Sequence, residues 1–178
     1  MLLRFKKKRN VKKSLEDQLR LRKKPYSFPI RIHFEVNDRC NLNCPMCARQ
    51  NDDVPRNTGD MDPQIIQNVV PWLTFANYVG LAGNGEPFLH PRIFDILEII
   101  RKAGSVPAIV TNGTLLHREN VRKLSSLGPS ILNISFDGGT RETFEDIRKG
   151  ANFGEILEHL EFIREFKREN NTPFPMLN

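Results

Sequence analysis

The chain has 178 residues, of which 39% are hydrophobic and 27% are charged. This length is sufficient for one domain with a buried core, and the composition excludes an intrinsically disordered protein. No apolar run approaches the roughly 20 residues that span a bilayer, and the start, MLLRFKKKRN, lacks the apolar stretch of a secretory signal. We therefore expect a cytoplasmic protein without a transmembrane segment.

The formal net charge of +6 is unevenly distributed along the chain. Residues 1–24 contain eleven Lys or Arg and two acidic residues, a net charge of +9, which leaves −3 for the rest. We assign residues 1–29 to a basic leader and linker, with a solvated helix whose start is signalled by Ser14 and Asp17. The alternative is a leader that contacts anionic lipid or nucleic acid, as in an RNA-binding or RNA-modifying protein.

From residue 30 onward, predicted strands alternate with predicted helices. In the first strand, IRIHFEVN, apolar residues alternate, which places His33 on the opposite face. Asp62 and Pro63 have the types expected at a helix start, and Gly104 and Gly128 those expected just after a helix. The predicted strands are residues 30–37, 76–83, 106–113 and 130–139, with a fifth beginning at 174–178; the predicted helices are residues 62–73, 91–104, 118–128, 140–150 and 153–170. This alternation predicts an α/β fold with a parallel sheet, either doubly wound or barrel-like.

A polar or thiol-rich patch follows each of the first four predicted strands. A cysteine cluster follows the first, GNGEP (83–87) the second and TNGT (111–114) the third, while the fourth ends in Ser135 and Asp137. The carboxyl ends of parallel strands lie at one edge of a sheet, where ligands bind. We therefore expect these patches to form one site.

The segment DRCNLNCPMC contains all three cysteines of the chain, Cys40, Cys44 and Cys47. Pro45 argues against a regular helix there, so the thiols lie on a loop. Clustered thiolates select zinc, copper(I) or an iron–sulfur cluster, and a structural zinc site requires a fourth ligand. A single reactive thiol would not require two neighbours. A four-iron cluster held by three cysteines leaves one iron free to bind a small molecule.

The motif CNLNCPMC resembles the signature of the radical S-adenosylmethionine (SAM) superfamily. The resemblance implies a [4Fe-4S] cluster whose open iron chelates the amino and carboxylate groups of SAM. An electron from the reduced cluster would break a C–S bond of SAM, and the resulting 5′-deoxyadenosyl radical would abstract hydrogen from a small-molecule or peptide substrate. An electron donor such as a flavodoxin or ferredoxin is implied as a partner.

The same resemblance assigns roles to residues outside the cysteine loop. In GNGEP, Gly85 and Glu86 are similar to the end of a Gly-Gly-Glu segment, with Asn84 in place of the first glycine. Gly85 would let the backbone approach closely, and Glu86 would accept a hydrogen bond from the SAM ammonium group. Met46 stands where the family often has an aromatic residue over the adenine, with generic packing as the alternative.

Four further residues are candidates for contact with SAM. Ser135 and Asp137 are similar to family positions near the ribose or carboxylate. Arg148 resembles an arginine that pairs with the SAM carboxylate, with a surface cation near a helix end as the alternative. Asn112 either contacts SAM or forms hydrogen bonds within its own turn.

The series GEPFLHP, TNGTLL, ISFDG and IRKG resembles the peptide-modifying and cofactor-maturing branch, whose members carry a C-terminal extension such as the SPASM or twitch domain. The implied core is a parallel, TIM-like β/α partial barrel of six units, of which this chain supplies about four. We therefore expect an incomplete core domain over residues 30–178, as a truncated product, a fragment or half of a barrel completed by a second chain. The alternative functions are a non-catalytic iron–sulfur electron-transfer module or an inactive fragment.

Overall fold

A computed structural model describes residues 2–54 and 59–178. Strands and helices alternate after a first long helix, as the sequence predicts. The helices are α1 (Leu2–Leu19), α2 (Pro63–Leu73), α3 (Ile93–Lys102), α4 (Arg118–Ser126), α5 (Arg141–Ile147) and α6 (Phe153–Glu169), and the strands are β1 (Arg31–Phe34), β2 (Tyr78–Leu81), β3 (Val106–Thr111), β4 (Ile131–Ile134) and β5 (Met176–Leu177).

The five strands form one parallel sheet in the spatial order β1-β2-β3-β4-β5. Each crossover therefore moves to the next position in the same direction, whereas a doubly wound sheet reverses its order at a switch point. This order settles the choice that the sequence left open. The fold is the predicted α/β partial barrel.

The hydrophobic core lies between the sheet and the helices. Val79 and Ile109 are fully buried on the helix-facing side of neighbouring strands. His33 lies on the opposite, concave face, where its ring occupies the space next to Gly80 that a Cβ atom would require. The alternation predicted for the first strand is thus confirmed.

The predicted helix boundaries also follow from local chemistry. Asp62 caps α2, its Oδ1 accepting a hydrogen bond from the Gln64 amide at 2.9 Å, and Pro63 is the first helical residue. Gly104 and Gly128, just after α3 and α4, have φ angles of +76° and +80°. This left-handed conformation favours glycine, so both predicted stops are confirmed.

The structure contradicts the prediction of a solvated leader helix that starts near Ser14. Helix α1 begins at Leu2, and three of its polar residues, Lys7, Asn10 and Asp17, are buried. Asp17 does not cap α1, because its Oδ2 accepts hydrogen bonds from the amides of Tyr26 and Ser27, both at 2.9 Å. The sequence misled because Lys7 and Asn10 anchor the helix to residues 65 to 98 positions away, while Asp17 binds the linker.

Lys7 makes the deepest contact of α1 with the body. Its Nζ donates to Ser105 Oγ at 3.0 Å and to the backbone oxygens of Leu73, at 3.4 Å, and Ala76. Asn10 holds the linker, accepting from the Phe28 amide at 2.9 Å and donating to the Phe28 carbonyl at 3.0 Å. Residues 2–29 therefore pack on the body, and the predicted domain boundary at residue 30 stays a prediction.

Within residues 2–54 and 59–178, we find no helix that is both long and apolar enough to cross a membrane.

Candidate functional site

The carboxyl ends of the strands surround a cavity of about 120 Å³. Eight of the ten predicted site residues line this cavity: Cys40, Cys44, Cys47, Gly85, Glu86, Asn112, Ser135 and Arg148. Of the predicted residues, Met46 and Asp137 are not in this lining. The geometry thus brings together patches that are up to 108 positions apart in the sequence.

The cysteine loop is held against the segment that follows β2. Asn37 Nδ2 donates to the Glu86 carbonyl at 3.0 Å, and the Glu86 amide donates to the Arg39 carbonyl at 2.7 Å. A Cβ atom at Gly85 would clash with the backbone carbonyl of Asn37. Gly85 is therefore required for the close approach of two protein segments, beside any role toward a ligand.

A second support for the loop comes from the turn after α5. The Asn43 amide donates to the Lys149 carbonyl at 2.9 Å. Gly150, with a φ of +97°, packs on Leu42. The IRKG turn and the cysteine loop are therefore one packed unit, which explains how Arg148 reaches the thiols.

Nitrogen donors face two of the three sulfur atoms. Cys40 Sγ accepts from the Leu42 amide at 3.5 Å and from Asn112 Nδ2 at 3.7 Å, and Arg148 Nη1 lies 4.0 Å from Cys44 Sγ. Donors of this kind stabilise thiolate ligands and tune the metal that they hold.

Burial raises the pKa of the Cys40 thiol, and the nearby Glu86 carboxylate acts in the same direction. The Leu42 and Asn112 donors oppose this rise. A positively charged metal centre would favour the thiolate, as bound cations do.

The three thiols line the same cavity. Among the described residues, no group of three or more His, Cys, Asp or Glu side chains is placed to hold one metal ion. Cysteine thiolates are the ligands that iron–sulfur clusters use in proteins.

Glu86 is 2% exposed, and its carboxylate is engaged by three donors. Oε1 accepts from Thr111 Oγ1 at 2.8 Å and from the Phe88 amide at 3.2 Å, while Oε2 accepts from the Asn112 amide at 2.8 Å. Burial raises the pKa of this carboxyl, and these donors oppose the rise. A carboxylate has about four acceptor positions, so one position on Oε2 is available for a ligand.

Asn112 links the turn after β3 to the cysteine loop. Its Oδ1 accepts from the Thr114 amide at 3.0 Å, and its Nδ2 donates to Asn41 Oδ1 at 2.9 Å as well as to Cys40 Sγ. The side chain therefore bonds within its own turn, as one alternative from the sequence held, and also positions the thiols.

Two arginines provide unsatisfied donors at the cavity. Arg148 pairs with Asp137 through Nη2, yet its buried Nε has no hydrogen-bond partner in the described structure. Arg49, which also lines the cavity, has a buried Nη1 without a partner among the described residues. Unpaired buried donors of this kind fit an anionic ligand, such as a carboxylate or a cluster with its thiolates.

Arg49 was missed by the sequence analysis. The available signal was a basic residue two positions after Cys47, at the edge of the motif. Its side chain reaches the cavity because a short 3₁₀ turn over Ala48–Gln50 follows the loop. Met46, in contrast, is 55% exposed, and its predicted contact with adenine stays a prediction.

The family model for the radical SAM superfamily matches residues 34–177. This chain belongs to the radical SAM superfamily. The matched region includes all three cysteines and every other predicted site residue.

Curated relatives in this superfamily that match the chain at more than 30% identity include the following two. One is a tungsten-containing aldehyde ferredoxin oxidoreductase cofactor-modifying protein from Pyrococcus furiosus, 34% identical over 60% of this chain and 30% of the relative. The other is the antilisterial bacteriocin subtilosin biosynthesis protein AlbA from Bacillus subtilis, 32% identical over 68% of this chain and 28% of AlbA. The chain spans about a third of the length of these relatives.

Among solved structures, SuiB from Streptococcus suis bound to its precursor peptide SuiA matches with a TM-score of 0.62 and 17% identity. The match covers 78% of this chain and 31% of SuiB. This likeness shows the fold. The predicted resemblance to the radical SAM superfamily is confirmed.

Proposed function

We propose that Cys40, Cys44 and Cys47 hold a [4Fe-4S] cluster and that SAM binds beside it in the same cavity. Membership of the radical SAM superfamily supports this proposal at the level of the cofactors. The observation that carries it is the convergence of three thiols, the Glu86 carboxylate and two arginine donors at one cavity.

In this proposal, an acidic side chain and two basic side chains bind the two oppositely charged groups of SAM. The free acceptor position of Glu86 suits the ammonium group, and the unpaired donors of Arg49 and Arg148 suit the carboxylate. Asn112 and the Leu42 amide orient Cys40. Gly85 keeps the two segments that carry these groups in contact.

A cluster held by Cys40, Cys44 and Cys47 would supply one electron to SAM, and this would give the protein radical chemistry toward a hydrogen atom of its substrate. The protein orients the reactants and excludes water, as in other cofactor enzymes. The electron is supplied by a small redox protein such as a flavodoxin or ferredoxin.

For the substrate, we propose a peptide or a cofactor precursor. The names of the Pyrococcus furiosus relative and AlbA, and the SuiA peptide bound to SuiB, support these two classes. A cavity of about 480 Å³ on the concave face of the sheet, with His33 and Asn133 in its wall, shares Val110 with the cavity that the thiols line and offers room for such a substrate. We propose the cytoplasm as the site of action.

The test is anaerobic reconstitution of the full chain with iron and sulfide, followed by SAM and dithionite. We expect visible iron–sulfur absorption, an electron spin resonance signal that changes on addition of SAM, and release of 5′-deoxyadenosine. Cys40→Ala, Cys44→Ala and Cys47→Ala should each abolish all three signals, because each removes one of three ligands.

Two outcomes would contradict this proposal. A reconstituted cluster whose spectrum is indifferent to SAM, without 5′-deoxyadenosine, would leave an iron–sulfur binding or electron-transfer module. Tightly bound, colourless zinc in protein purified without air would exclude the cluster.

A further inference from the structure

Helix α1 buries three polar side chains against the rest of the protein, while most of its large apolar side chains are exposed. Its buried residues are Lys7, Asn10 and Asp17, whereas Leu2, Phe5 and Leu19 are 84%, 66% and 85% exposed. A helix on a soluble protein normally shows the opposite arrangement. The contacts with the body thus hold α1 in an orientation that leaves its apolar residues for a partner.

These apolar residues continue into a cleft of about 490 Å³ between one flank of α1 and the linker. Leu2 and Phe5 form one wall, and Tyr26, Phe28 and Phe75 form the other. The rings of Phe28 and Phe75 stack with centroids 4.1 Å apart, which fixes the second wall. The cleft is therefore a preformed apolar surface that is open to solvent.

Cations surround this cleft. Lys6, Arg9 and Lys13 line it, and residues 2–15 contain no acidic side chain. Lys6 donates to Thr74 Oγ1 at 2.8 Å, whereas Arg9 and Lys13 have no ion pair within the described part of the chain. The cleft thus combines an apolar wall with positive charge.

The charge does not serve the stability of α1 itself. Arg9 and Lys13 are four residues apart, as are Arg4 and Lys8, and like charges at this spacing repel each other on a helix. Arg4, in the first turn, also opposes the helix dipole. An anionic partner would relieve both effects, so charge complementarity identifies the partner as anionic.

The position of α1 separates this surface from the cysteine cavity. Lys7 contacts Leu73 and Ser105, which precede β2 and β3, whereas the thiols lie at the opposite, carboxyl ends of the strands. A redox protein must approach the cluster to transfer an electron. The face of α1 is therefore not suited to that partner.

We propose that the outward face of α1 and its adjoining cleft dock on the surface of an anionic lipid bilayer. The helix lies in the plane of the interface, with Leu2 and Phe5 in the acyl boundary and Arg9 and Lys13 at the lipid phosphates. RNA would also match the cations, and Phe5 and Tyr26 could stack on bases, but the most exposed apolar side chains of α1, Leu2 and Leu19, are aliphatic and offer bases no ring to stack on. The apolar component therefore favours lipid.

The test is cosedimentation of the full chain with phosphatidylcholine vesicles that contain or lack phosphatidylglycerol. Wild type should bind only the anionic vesicles, and binding should fall with salt. Arg9→Glu/Lys13→Glu should lower the partition coefficient about thirtyfold or more, and Phe5→Ser about tenfold. The matched control is Arg164→Glu/Arg168→Glu on α6, which has the same spacing and the same change in net charge and should bind as wild type.

Circular dichroism of each variant verifies that the chain is folded. Equal binding to neutral vesicles, or no binding to anionic ones, would overturn the proposal. An unchanged affinity of Phe5→Ser for anionic vesicles would also overturn it, and so would an equal loss of affinity in the α6 control. Either result would mean that vesicle binding depends on net charge alone. Binding of a single-stranded RNA oligonucleotide in place of vesicles, lost in Arg9→Glu/Lys13→Glu, would assign the surface to nucleic acid instead.

Discussion

Gly85 shows how a residue in a ligand-binding motif can also be required for the fold. Sequence resemblance gives it a role toward SAM, while the structure places it against the backbone of Asn37 at the start of the cysteine loop. Asn37 in turn donates to the Glu86 carbonyl. The segment GNGEP therefore positions the thiols as well as contributing to the cavity.

Gly85→Ala is expected to destabilise the protein by about 1–3 kcal/mol, because the new methyl group must displace backbone atoms. For a chain of this size, that loss lowers Tm by roughly 2–4 °C per kcal/mol. Gly139→Ala is the matched control, since a Cβ atom there meets nothing within 4 Å. Thermal unfolding followed by circular dichroism measures both, and equal Tm values would refute the proposed clash.

At the scale of elements, the contact between α1 and the body depends on a buried cation. Burial lowers the pKa of Lys7 from 10.5 to about 8, and the charge of Arg101 acts in the same direction. Between these two pH values the unfolded chain holds a proton that the folded protein has released. Stability therefore rises with pH across this window, and the contribution is constant below it.

The corresponding prediction concerns Lys7→Met, which removes the titrating group at similar volume. The difference in unfolding free energy between wild type and Lys7→Met should shift in favour of wild type as pH increases from about 8 to 10. Urea unfolding at several pH values measures this difference. The titration of the other lysines and of the tyrosines contributes equally to both proteins and therefore cancels. A difference that does not change with pH would show that Lys7 titrates normally in the folded protein.

At the scale of the whole molecule, the cysteine loop connects distant parts of the chain. The cysteine loop is bonded to the segments after β2 and β3 and to the turn after α5. A cluster held by Cys40, Cys44 and Cys47 would add a further link that exists only in the folded state. Binding to the folded state alone raises stability by mass action.

Cluster loading is therefore expected to raise Tm by about 3 °C or more, the shift produced by roughly 1 kcal/mol in a chain of this size. Removal of the cluster with an iron chelator under anaerobic conditions should reverse the increase. Differential scanning calorimetry measures the change, and Cys44→Ala treated identically is the control that should not respond. An unchanged Tm on loading of wild type would mean that the cluster does not bridge these segments.

The local and periodic features of this protein could be predicted from the amino-acid sequence. Alternating apolar residues identified the first strand, and Asp62, Gly104 and Gly128 marked helix boundaries through caps and φ angles that depend only on neighbouring residues. The cysteine motif indicated the family for a similar reason, because three ligands within eight residues need no tertiary structure to lie close together.

Features that depend on contacts between distant segments became visible only in the folded protein. The sequential strand order, the access of Arg49 to the cavity and the bonds that occupy most of Glu86 each involve residues far apart in the chain. The orientation of α1 was mispredicted for the same reason. Lys7 is buried because its partners, Leu73, Ala76 and Ser105, lie 66 to 98 positions away.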